Sequence, residues 1–168
     1  MIDKLKSIFV IPELRQRILF TIGVLIVVRI GAHIPIPGVN GETLAEAFTD
    51  MKTGLFGLFN TFVGGAFEKA SLFSLGIMPY ISSSIIIQLL TGVTEYFKNL
   101  KNQGESGRQK ITQYTRYGTV ILALIQGYGV AVSLENSQGI VQEPGFYFRF
   151  VTTISLLTGT VLLMWLGE

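Results

Sequence analysis

Three stretches of the chain carry no charged side chain at all: residues 72–94, 117–134 and 150–167. At about 1.5 Å per helical residue, each reaches most or all of the way across a ~30 Å hydrocarbon core. A fourth run, residues 18–36, is interrupted only by Arg29. Lipid offers no hydrogen-bond partners, so a spanning segment is either a helix or part of a closed barrel. Long apolar runs without strict alternation select the helix. The expected fold is therefore all-α, a polytopic transmembrane helix bundle with four spans. A mean hydropathy of +0.51 agrees with a chain that spends its apolar residues on lipid contact rather than on one soluble core.

The charges between these runs are unevenly placed. Lys4, Lys6, Arg15 and Arg17 precede the first run, and Lys98, Lys101, Arg108, Lys110 and Arg116 lie between the second and third. The other two connections carry mainly Glu42, Glu46, Asp50, Glu68, Glu135 and Glu143, against Lys52, Lys69 and Arg149. The positive-inside rule then predicts that both ends of the chain are cytoplasmic. The basic 95–116 connection has two open readings, a topology signal alone or a docking surface for an anionic or ribosomal partner. The first run ends at Ala32-His33-Ile34-Pro35 without a small-residue cleavage site, which suits an uncleaved anchor.

The expected order is a cytoplasmic interfacial segment over 1–17, a first span over 18–36 and an external loop over 37–54. A Phe- and Gly-rich segment follows over 55–71, then a second span over 72–94, a basic cytoplasmic loop over 95–116 and a third span over 117–134. An external loop over 135–149 and a fourth span over 150–168 complete it. Arg29 falls about 16 Å along the first helix, past the bilayer middle. It either snorkels to the outer interface or forms an ion pair inside the bundle. In the 55–71 segment Leu55, Phe59, Phe62 and Phe67 share roughly one helical face. Too short and glycine-broken to span, it is either re-entrant and packed against protein or a surface helix.

The second span holds Gly76, Pro79, Ser82, Ser83, Ser84 and Gln88, more polar and helix-loosening residues than a helix facing only lipid needs. Ile77, Ile81 and Ile85 recur every four residues and share a stripe, which by itself reads as lipid-facing or packed core rather than as a gate. Thr119, Ala123, Gly127 and Ala131 form a small-residue stripe in the third span, suited to close helix packing.

Chemistry-bearing motifs are sparse. The chain has no cysteine and one histidine, His33, so no catalytic residue, metal site or cofactor is assigned. Gly104-Glu105-Ser106-Gly107 resembles a serine-protease string. Its expected place is a cytoplasmic loop with His33 near the opposite membrane face, so no nucleophile and base pair assembles and no enzyme is expected.

Four strings carry a resemblance: RIGAHIPIPG at 29–38, LFSLGIMPYISSSIIIQLL at 72–90, GESGRQKITQYTRYGT at 104–119 and TGTVLLMWLGE at 158–168. In this order and spacing the chain resembles the bacterial SecY family of protein-conducting channels along essentially its whole length. Members have about ten spans in two pseudo-symmetric halves, so the resemblance implies an N-terminal fragment covering the first four. It implies that residues 55–71 are a re-entrant plug, carried by Phe59, Phe62, Val63, Gly64, Gly65 and Phe67. It implies that Ile77 and Ile81 belong to the pore constriction, and that the second span forms one side of a lateral gate, for which Ser82, Ser83 and Gln88 are the polar candidates. Lys101, Arg108, Lys110 and Arg116 are the candidates for cytoplasmic docking.

The function implied is the central channel subunit of the Sec protein translocase in the bacterial inner membrane. It would pass unfolded polypeptides across the membrane and insert hydrophobic segments laterally. The implied partners are the SecE and SecG subunits, the SecA motor, the ribosome, signal sequences with unfolded preproteins, and membrane lipid, with no small-molecule substrate. The competing reading is half of a secondary solute transporter, with Pro79 marking a broken helix at mid-depth. A purely structural membrane scaffold is a third reading.

Overall fold

A computed structural model describes residues 12–41, 43–44, 46, 58, 61, 65, 69–137 and 139–168. Five helices of eight residues or more occur among them, and no strand: α1 Pro12–Gly31, α2 Met78–Val93, α3 Glu95–Asn102, α4 Glu105–Asn136 and α5 Phe146–Gly167. The fold is all-α. Helices α4 and α5 are each long and apolar enough to cross a membrane. The 20 residues of α1 include Glu13, Arg15, Arg17 and Arg29, and α2 has only 16 residues.

Helix α1 opens on a proline, whose fixed φ suits a first turn, with Glu13 at its start and Arg29 near its end complementing the helix dipole. Its last turn tightens through His33 N–H donating to the Ile30 carbonyl, and Pro35 and Pro37 stop it from continuing. The chain then runs extended alongside two later segments. Ile36 N–H donates to Ala70 O at 2.8 Å and Leu72 N–H to Ile34 O at 2.9 Å; Asn40 N–H donates to Ile140 O at 2.8 Å. Around this knot sit the two clusters of buried side chains, one of Ile36, Leu75 and Leu156, the other of Leu44, Ala70 and Ile140.

Residues 72–94 are not one helix. The first six form turns, with Ser74 N–H donating to Ser71 O, Gly76 N–H to Phe73 O, and Gly76 at φ +56°, where a side chain would be strained. The helix starts at Met78, with Pro79 in its first turn, and ends at Thr94, whose backbone is extended. At about 1.5 Å per residue, α2 alone falls short of a ~30 Å core.

Residues 95–116 are helical rather than a loop. Short α3 turns at Gln103 and Gly104 into the first turns of α4. Gly104 has φ +69°, and a Cβ on Gly107 would come within 1.7 Å of the Leu100 carbonyl oxygen. The Gly-Glu-Ser-Gly string is thus a close-packing device at the α3–α4 corner. Tyr96, Phe97 and Tyr114 hold the corner from outside, with edge-on rings 5.4 and 5.5 Å apart and the two tyrosine hydroxyls 3.2 Å apart.

Helices α4 and α5 run antiparallel, with Arg116 paired to Glu168 at one end and Arg149 to Glu135 at the other. The stretches 116–135 and 149–168 are equal in length, about 28 Å of helix each and close to the hydrocarbon thickness. Thr119, Ala123, Gly127 and Ala131 are all buried, as a packing stripe requires.

Candidate functional site

Helix α2 has two unlike faces. Pro79, Ser83 and Ile87 are buried, whereas Ile77, Ile81 and Ile85 are 50%, 41% and 52% exposed. Ile86, Leu89 and Val93 extend the exposed apolar surface toward α3. Ile77 caps the helix start, and its carbonyl accepts from Ile81 N–H at 3.0 Å, so the two expected constriction residues stack one turn apart. An aliphatic surface of this kind offers no specific hydrogen bond.

The buried face is pinned to α4. Ser83 Oγ donates to the Thr115 carbonyl at 2.8 Å, and Thr119 Oγ1 donates to the same oxygen at 2.7 Å. A Cβ on Gly118 would fall 2.4 Å from Ser83 Oγ, so the helices meet there only because residue 118 lacks one. Of the three residues expected on one polar gate face, Ser83 therefore points away from the open side and into α4. Ser82 is half-buried, and Gln88 is exposed, its Nε2 donating to Ser84 Oγ one turn back at 3.1 Å. The structure does not bring the three together, because residues one apart on a helix differ by about 100° in direction.

Phe59, Phe62, Val63, Gly64 and Phe67 lie outside the described residues. Gly65, the remaining residue of the expected plug, sits in a turn at φ +78°, which favours glycine.

The basic residues divide as well. Lys101, Arg108 and Lys110 are exposed around the α3–α4 corner, as is Lys98. Arg116 is engaged: its guanidinium grips both carboxylate oxygens of Glu168, with Nε 2.9 Å from Oε1, and this hydrogen bonding holds its pKa above the usual value. A shallow groove along α4 is lined by Glu105, Arg108, Gln109, Thr112, Gln113 and Arg116. At the far end of α4, Arg149 donates to Glu135 and keeps that carboxyl below the ordinary 4.5, against a smaller opposing effect of burial. Sequence reasoning did not pair these charges. The equal spacing of 116 to 135 and 149 to 168 was the available signal.

Among the described residues, no three His, Cys, Asp or Glu side chains are grouped to hold a metal ion. His33 follows the end of α1, its Nδ1 2.9 Å from the Arg29 carbonyl oxygen, whereas Ser106 lies in the first turn of α4.

The SecY family model matches residues 71–168. The chain is 55% identical over 159 residues to the protein translocase subunit SecY of Escherichia coli, covering 93% of this chain and 36% of that protein. It is 54% identical to the subunit of the same name from Buchnera aphidicola, covering 93% of this chain and 45% of that one. The Pseudomonas aeruginosa subunit is 51% identical over 158 residues, covering 94% of this chain and 36% of its own length. The chain thus spans between about a third and a half of the length of these relatives.

Proposed function

The chain belongs to the SecY family of membrane proteins, and on that premise we propose that it contributes the N-terminal part of a Sec translocase channel. The channel passes unfolded polypeptides across the bacterial inner membrane and releases hydrophobic segments sideways into lipid. It catalyses no reaction of its own. The observation that carries this reading is the two-faced α2, buried and hydrogen-bonded to α4 on one side and lined with half-exposed isoleucines on the other. A narrow aliphatic ring disfavours continuous water yet deforms around any threaded sequence, since it makes no directional bonds. Ile77 and Ile81 supply part of that ring.

Four spans with both ends cytoplasmic follow from the charge distribution, with α1 as the first span and 72–94 crossing as a turn segment followed by α2. The Phe-rich 55–71 segment acts as the plug. Ser82 and Gln88 serve the lateral gate, while Ser83 ties the gate helix to its support. Lys101, Arg108 and Lys110 present the docking surface for the SecA motor or the ribosome, and SecE and SecG complete the complex. A solute transporter would need a recognition group at mid-depth, and α2 carries no charged residue.

The test is cysteine crosslinking in the full-length, assembled channel. Ile81→Cys should form an adduct with a stalled secretory precursor, and Ile125→Cys, exposed on α4, should not. Equal labelling of the two, or none at Ile81→Cys, overturns the reading.

A further inference from the structure

The turn segment just before Ile77 is held by an unusual contact. Phe73 is 4% exposed, and its ring lies between two glycines on different helices, Gly31 of α1 and Gly159 of α5. A Cβ on Gly31 would fall 2.0 Å from Phe73 Cε2 and 2.6 Å from Cζ. A Cβ on Gly159 would fall 2.0 Å from the Leu72 carbonyl oxygen and 3.1 Å from Phe73 Cδ1. Real Cβ atoms do not approach so closely, so neither position accepts a side chain without movement.

Gly31 is also the one buried residue of α1; among the described residues of that helix the others are half-buried or exposed. The socket is therefore where α1 is tied closely to the rest. Around it Ser71, Ser74 and Leu75 are buried, Leu72 N–H donates to Ile34 O, and Ser74 Oγ donates to Ser71 O at 2.6 Å. Four residues after Phe73 comes Ile77, the start of the isoleucine face.

We propose that Phe73, seated in the Gly31–Gly159 socket, is a positioning residue that sets the isoleucine face of α2 relative to α1 and α5. Its consequence for conduction rests on the reading of Ile77 and Ile81 as constriction residues. The two glycines differ in a way that makes the socket testable. The clash at Gly31 is with side-chain atoms of Phe73 alone, Cε2, Cζ and, at 2.8 Å, Cδ2, which a smaller and more adaptable side chain relieves. The clash at Gly159 is with backbone, which no side-chain change relieves.

The experiment uses the full-length subunit in its membrane complex, with spin labels on Leu25→Cys and Ile85→Cys, both exposed positions on α1 and α2. Ion leak across the closed channel is measured in parallel on unlabelled variants. Gly31→Ala should shift the label distance and raise the leak severalfold. Adding Phe73→Leu should return both toward the parental values, whereas Phe73→Leu should not rescue Gly159→Ala. Parental distance in Gly31→Ala, or no reversal by Phe73→Leu, overturns the proposal. Should Gly31→Ala fail to accumulate, Phe73→Leu alone should broaden the label distance distribution, and an unchanged distribution overturns it equally. Ile81→Asp separates the two layers. If it leaks and Gly31→Ala does not, the socket falls; if it does not leak, the constriction reading falls while the label distance still decides the socket.

Discussion

The α4–α5 hairpin and the isoleucine face of α2 are written in the same apolar alphabet and come to opposite ends. Along the hairpin, small residues and threonines let two helices approach, Ala123 and Leu156 lose all exposure, and an ion pair stands at each end. Along α2 the apolar side chains on one face are branched and half-exposed, with α4 holding the helix only from behind. Hydropathy does not separate the two surfaces; side-chain size and what lies opposite do. In lipid no hydrophobic drive pulls helix to helix, so close association depends on fit and on hydrogen bonds. A face of branched isoleucines that no described helix covers stays available for other contacts.

The contrast is most severely tested by overfilling. Ala123→Leu should destabilise the protein by about 1–3 kcal/mol, because a packed seam has no room for three more carbons. Ile85→Ala, on the open face, should stay within about 0.5 kcal/mol, as substitutions away from packed features usually do. Denaturant titration of the reconstituted protein measures both, and equal costs would erase the distinction between the regions.

A smaller effect is expected where the two regions meet. Ser83→Ala removes a buried interhelical hydrogen bond and should cost about 1 kcal/mol, while the neighbouring Ser82→Ala should leave stability nearly unchanged. The reverse order would mean that Ser82, not Ser83, faces α4.

The smallest effect concerns the clamp at the Glu135 end. That carboxyl titrates below its ordinary 4.5 in the folded chain because Arg149 donates to it. Its contribution is therefore fully present above about 4.5 and fades as pH falls through the lower folded value. Stability measured from pH 7 downward should show this loss in the parent and a flatter profile in Glu135→Gln. Identical profiles would show that the pair contributes nothing to holding the hairpin.

Much of this was legible in the residues. The charge-free runs set the helical class, since lipid leaves the backbone no other way to satisfy itself. The four-residue recurrence of Thr119, Ala123, Gly127 and Ala131 marked a packing face, and all four are buried. The Ile77, Ile81 and Ile85 recurrence marked a shared face, and all three are exposed together. Less legible were the segments at either end of α2. Apolarity of residues 72–77 suggested helix, but their turns combine local bonds to Ser71 and Phe73 with one from Leu72 N–H to the Ile34 carbonyl, far away in sequence. Charge in residues 95–116 suggested a loop, although Lys, Glu, Arg and Gln are good helix formers.

The sequence by itself determined that the chain builds apolar helices, which side chains recur on one face, and where glycine and proline interrupt them. Those are local consequences of helical periodicity and backbone sterics. Only the tertiary structure decided which face of each helix found a partner. That Ser83 turns to α4, that Arg116 grips Glu168, and that Phe73 sits between Gly31 and Gly159 are facts about surfaces meeting across long stretches of chain. A helix's periodicity fixes its faces but not their neighbours, because the free energy that selects a neighbour belongs to the pair.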